Sequence, residues 1–134
     1  MPRITNEHLF AGVVVADRDA AAQWYERLFG RPPDLVPNDR EAAWRLTDSG
    51  WICLYAEGGA ATAEASGSAP HTLLVSDLDL FLAGVAARGI VPGPVEAVGP
   101  SARQSVITDP DGNRLKVASL EQVPAEGELT PGQE

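Results

Sequence analysis

Two unbroken apolar stretches, each followed by an aspartate and then by apolar residues at helical spacing, dominate the pattern along this chain. Residues 10–16 form the first stretch, rich in Val and long enough for a central strand. Asp17 follows at a helix N-cap position. Ala21, Trp24, Tyr25, Leu28 and Phe29 then recur at i, i+3, i+4, i+7 and i+8, the signature of one buried helical face. Gly30 suits a left-handed helix stop, and Pro32-Pro33 forbids continuation. The second copy begins at His71. Leu73-Leu74-Val75-Ser76-Asp77-Leu78-Asp79 echoes Val13-Val14-Val15-Ala16-Asp17-Arg18-Asp19. Asp77 caps a helix with Leu78, Phe81, Leu82 and Val85 on one face, and Gly89 ends it.

Shorter strands fill the rest of each copy. They are predicted at 34–37, 41–47 and 51–56, with Asp48-Ser49-Gly50 as the turn between the last two. In the second copy they fall at 94–98, 103–108 and 113–119, the last pair joined by Asp109-Pro110-Asp111-Gly112-Asn113. Residues 57–70 carry Gly, Ala, Ser, Thr and Glu with little to bury and read as a linker. The order is βαβββ, linker, βαβββ: an α+β fold with a first module at 8–56 and a second at 71–120, in one domain of 134 residues. Residues 121–134 read as a disordered acidic tail. One helix per module covers one sheet face. The other face must meet the second module, a dimer partner or a ligand.

Composition narrows the function classes. No apolar run approaches the roughly 18–20 residues of a membrane span, and the N-terminus lacks the apolar core of a secretory signal. Cys53 is the single cysteine, which excludes an intrachain disulfide and makes a reducing cytoplasm the expected compartment. The formal net charge is −9, and this acidity disfavours nucleic acid as a partner. It suits a cationic ligand, although its commoner meaning is solubility.

Three segments in order carry a family resemblance: Val15-Ala16-Asp17 leading to Trp24-Tyr25-Glu26-Arg27-Leu28-Phe29-Gly30, then Val75-Ser76-Asp77-Leu78-Asp79, then Thr108-Asp109-Pro110-Asp111-Gly112-Asn113-Arg114-Leu115. The chain resembles the glyoxalase/bleomycin-resistance group, the vicinal oxygen chelate superfamily, over residues 8–120. The resemblance implies two βαβββ modules whose mixed sheet forms a cup. In metal-dependent members, four inward side chains, usually His, Gln or Glu, hold a divalent ion that acts as a Lewis acid. They stand at the start of each module's first strand and on each module's last strand.

Those four places read poorly for a metal. Counting back from Asp17 gives Phe10, which has no donor atom. The last-strand position, four residues after the turn glycine, gives Lys116 in the second module, and a protonated ammonium cannot ligate. The same count from Gly50 gives Leu54, with Tyr55 one residue on. His71 stands near the remaining place, yet its spacing to Asp77 is six where Phe10 to Asp17 is seven. It reads equally as a pocket hydrogen-bonding group or as a satisfied strand-end residue. His8 reads as an exposed residue of an N-terminal arm. No metal and no other cofactor is expected.

The cup offers an aromatic and cationic lining instead. Phe10, Trp44, Trp51 and Tyr55 supply rings; His71, Arg103, Arg114 and Lys116 supply polar groups, with Arg114 and Ala118 on the face of Lys116 if that residue points inward. Strand register decides whether Trp44 and Trp51 face the cup or the core. Trp24, Tyr25, Phe29 and Phe81 are core residues, and Asp17, Asp77, Asp109 and Asp111 are caps and turns. The expectation is a metal-free binding protein of the bleomycin-resistance type that sequesters a bulky or aromatic small molecule, acting as a homodimer. The alternatives are a metal-dependent lyase, isomerase or dioxygenase, and a metal-independent enzyme using Lys116, His71 or Tyr55.

Overall fold

The computed structural model describes residues 8–56 and 70–120. The expected acidic tail and the expected linker, apart from Pro70, which opens a strand, lie outside the described residues. The order is β1 (Leu9–Val14), α1 (Arg18–Phe29), β2 (Leu35–Asn38), β3 (Glu41–Arg45), β4 (Gly50–Tyr55), β5 (Pro70–Leu74), α2 (Leu78–Ala87), β6 (Glu96–Val98), β7 (Ala102–Thr108) and β8 (Arg114–Leu120). Among the described residues no helix is long and apolar enough to cross a membrane.

Both helices start as their sequences imply. The Asp17 and Asp77 carboxylates accept from the backbone N–H groups of Ala20 and Leu80, each at 3.0 Å. Such a cap satisfies a donor that has no partner inside the helix. Gly30, at φ 77°, ends α1 in the left-handed region, and its N–H bonds the Glu26 carbonyl. β1 and β3 end two residues early, at Val14 and Arg45, and β6 begins two residues late, at Glu96 rather than Pro94. Gly93 accounts for the late start of β6. Its N–H donates to the Val106 carbonyl at 2.9 Å, and a Cβ there would sit 2.7 Å from that same oxygen. The chain is thereby held against β7 before β6 can begin.

The strands form two four-stranded sheets, ordered β1-β4-β3-β2 and β5-β8-β7-β6. β1 runs parallel to β4 and β5 parallel to β8; the other pairs are antiparallel. Each helix lies on its own sheet, and the two helices touch. Val13, Val15, Trp24, Leu28, Ile52 and Leu54 join Leu78, Val85, Ile107, Leu115 and Val117 in one core. The repeat therefore builds two halves with a shared apolar interior.

Polar contacts lock the halves. Asn113 donates from Nδ2 to the Val14 carbonyl at 3.0 Å, and the Ala16 N–H donates to Asp111 at 3.1 Å. The Tyr25 hydroxyl donates to Asp109 at 2.8 Å. At the far end of α1, the Arg88 guanidinium, just past α2, donates to the Arg27 carbonyl and, at 3.0 Å, to that of Leu28. These are the carbonyls a helix leaves unpaired at its C-terminus.

Candidate functional site

Register settles which side chains share a face. On β1 and β4, Ala11 pairs with Ile52 and Val13 with Leu54 on the helix side; Phe10 with Trp51, Gly12 with Cys53 and Val14 with Tyr55 share the side away from the helices. On β5 and β8, Leu73 pairs with Val117 on the helix side; Thr72 with Lys116 and Leu74 with Ala118 lie on the open side. The open side carries Phe10, Trp51, Tyr55, Arg114 and Lys116 of the expected cup lining.

The aromatic half of this face centres on Phe10 and Trp51. Their rings stack with centroids 5.1 Å apart and an interplanar angle of 14°. Trp51 donates from Nε1 to His8 Nδ1 at 3.0 Å, so His8, read as a bystander, buttresses the stack. Phe10 remains 48% exposed and Tyr55 37%, leaving ring surface accessible. The second half presents Arg114 and Lys116, both exposed, beside Thr72 and Leu74.

Three expected lining residues stand elsewhere. Trp44 pairs with Ile52, is fully buried, packs on Tyr25 and Phe29, and donates from Nε1 to the Arg31 carbonyl at 2.9 Å. It belongs to the core. Arg103 pairs with Ser119 on the helix side and meets Asp79 of α2 at 3.3 Å, on the face opposite Lys116. His71 pairs with Leu115, also on the helix side, and its Nε2 lies 2.8 Å from the Gly12 carbonyl. A shift of one residue along a strand moves a side chain to the other face, which is why a near-match in spacing misplaces it.

The same geometry relocates two of the four chelating places. Asp17 and Asp77 align Phe10 with Pro70 and Gly12 with Thr72; through their strand partners, Cys53 then aligns with Lys116. The first-module place on β4 is therefore Cys53, not Leu54, which is buried, nor Tyr55. Residue counting missed Cys53. The signal that finds it is the burial of Ile52 and Leu54, which forces Trp51, Cys53 and Tyr55 onto the opposite face. The Cys53 thiol is half-buried and lies 3.7 Å from Glu41 Oε1. Burial first, and then the Glu41 charge, push it up to about 11. The four places thus hold a phenyl ring, a protonated thiol, a proline and an ammonium group. That is not a donor set for a divalent cation. Among the described residues no three His, Cys, Asp or Glu side chains converge.

The family model for the glyoxalase/bleomycin resistance protein/dioxygenase superfamily matches residues 7–117. The chain belongs to that superfamily. Among solved members, a glyoxalase/bleomycin resistance protein from Catenulispora acidiphila is 34% identical, with a TM-score of 0.76 over 87% of this chain and 98% of that one. TnmS3, an antibiotic binding protein from Streptomyces sp. CB03234, is 21% identical, with a TM-score of 0.66 over 90% and 98% of the two chains. Lactoylglutathione lyase from Agrobacterium tumefaciens is 17% identical, with a TM-score of 0.64 over 83% and 91%. The last two likenesses are of fold alone. No match was found among curated proteins. Superfamily membership accounts for the repeated module and for the turn at 109–113, and it covers binding proteins and enzymes alike.

Proposed function

We propose that this superfamily member binds a bulky, planar organic molecule on its open face without a metal, sequestering it rather than transforming it. The observation that carries this reading is the set of residues at the chelating places, Phe10, Cys53, Pro70 and Lys116, which favours stacking and charge pairing over coordination. The Phe10–Trp51 stack offers a platform for a flat ring system. Lys116 and Arg114 lie on the other half, suited to a carboxylate or phenolate on the same ligand. The fold likeness to an antibiotic binding protein makes aromatic antibiotics the natural probes. A second copy would cover exposed apolar side chains such as Leu74 and Leu120 at the rim, so a homodimer is part of the proposal.

The test pairs metal analysis of the purified protein with a thermal-shift and tryptophan-fluorescence screen of aromatic antibiotics. The expected result is a bulky aromatic ligand that raises the melting temperature, with no stoichiometric metal. Phe10→Ala and Lys116→Ala should each weaken an anionic aromatic ligand by about tenfold, in line with the ~1–2 kcal/mol of a stacked or charge-assisted contact. One Zn, Ni, Mn or Fe per chain, or turnover of the ligand, would overturn the reading.

A further inference from the structure

A second cleft lies on the helix side of the sheets, where β1 meets β5. Its volume is about 200 Å³, and its walls include Leu9, Ala11, Leu46, Ile52, His71 and Leu73. The pairings of Ala11 with Ile52, His71 with Leu115 and Leu73 with Val117 put these walls on the face opposite Phe10, Cys53 and Lys116. Trp51 and Thr72 of the open face complete its edge, so the cleft borders that face, and none of the superfamily's chelating places belongs to it.

Its chemistry is specific. Among the described residues no Asp, Glu, Lys or Arg lines it, so its walls favour a neutral ligand. The Thr47 hydroxyl on its rim already accepts from the Gly50 N–H at 2.8 Å. Among the described residues His71 is engaged at one nitrogen only. The Gly12 carbonyl can only accept, so Nε2 carries the proton and donates to it across 2.8 Å. In the neutral ring that fixes Nδ1 as an acceptor. Size sets the other limit: a cavity of roughly 150 Å³ takes benzene. A cleft of about 200 Å³ accommodates one ring with one substituent.

We infer that this cleft is a second binding site, for a neutral single-ring molecule carrying one hydrogen-bond donor, such as a phenol or an arylamine. Apolar walls take the ring, and His71 Nδ1 accepts from its O–H or N–H. The inference does not depend on what the open face binds.

Phenol, toluene and benzoate added to the full chain test it by NMR. Phenol should give saturable shifts at the Ala11, Ile52 and Leu73 methyls and at His71 Nδ1. Toluene should bind about three- to tenfold more weakly, the difference a neutral hydrogen bond makes, and benzoate should not bind. His71→Phe should bring phenol down to the affinity of toluene, with the melting curve reporting whether that variant folds. Should it not fold, movement of the wild-type Nδ1 signal on phenol addition still supports the site, and a stationary one refutes it. Equal binding of phenol and toluene, shifts centred on Phe10, Val14 and Val106, or no saturable shift would each overturn the inference. Lys116→Ala, which tests the open face, should leave phenol binding unchanged.

Discussion

Cys53 and Lys116 occupy the same place in the two halves, and neither matches the His, Gln or Glu that the metal-dependent members place there. The protonated state of Cys53 has a local cause. Burial and the neighbouring Glu41 carboxylate disfavour the thiolate and push the thiol up to about 11 from an ordinary 9.0. Iodoacetamide at pH 8 should therefore alkylate Cys53 about 100-fold more slowly than an unstructured cysteine peptide, because the thiolate is the nucleophile. Glu41→Gln should raise that rate, and mass spectrometry over a time course reads both. The sign for stability follows from the same shift. A folded-state value above the unfolded one stabilises the fold below pH 9.0, and that contribution is lost as the pH rises toward 11. The urea midpoint should fall across that window in the wild type and less so in Cys53→Ser. Trp44 marks the opposite environment: truncation to Ala should cost about 3–5 kcal/mol and leave open-face binding intact wherever the protein still folds.

Elements were legible wherever their causes are local. The Asp caps and helical spacing of α1 and α2 are contained in a dozen residues each, and the structure returns both helices within their expected limits. Asp77→Ala should lower stability by about 1 kcal/mol, or roughly 3–4 °C in melting temperature. Face assignment was less legible, because it depends on partners far along the chain. His71 and Leu54, read at or near chelating places, each lie one residue from the places that strand pairing gives, Pro70 and Cys53, and one residue is a full change of face. Arg103 fails for the same reason, since β7 shows its alternation only once Ser105 and Ile107 are known to be buried. The late start of β6 was invisible for a different reason: Gly93 looks like an ordinary loop glycine until Val106 is found against it. Gly93→Ala should cost about 1–3 kcal/mol through the clash with that carbonyl, measurable by urea unfolding.

At the scale of the molecule, the segment Asp109–Asn113 was readable as a turn but not as the joint between halves. Asp109 is buried, accepts from the backbone N–H groups of Asp111 and Asn113, and receives the Tyr25 hydroxyl. Burial, and then the Asp109 charge, raise the Tyr25 phenol well above its usual range, so it stays a donor across the working pH. Tyr25→Phe should cost about 1–3 kcal/mol, with the melting temperature falling while the helix signal at low temperature persists. The joint also has a bearing on synthesis. Val14 and Ala16 wait for partners 99 and 95 positions downstream, so the first half leaves the ribosome with its most important seam unmade. Contacts so distant in sequence close late and slowly. A nascent chain stalled before residue 109 should consequently be protease-sensitive in its first half, and one stalled well beyond 113 should resist.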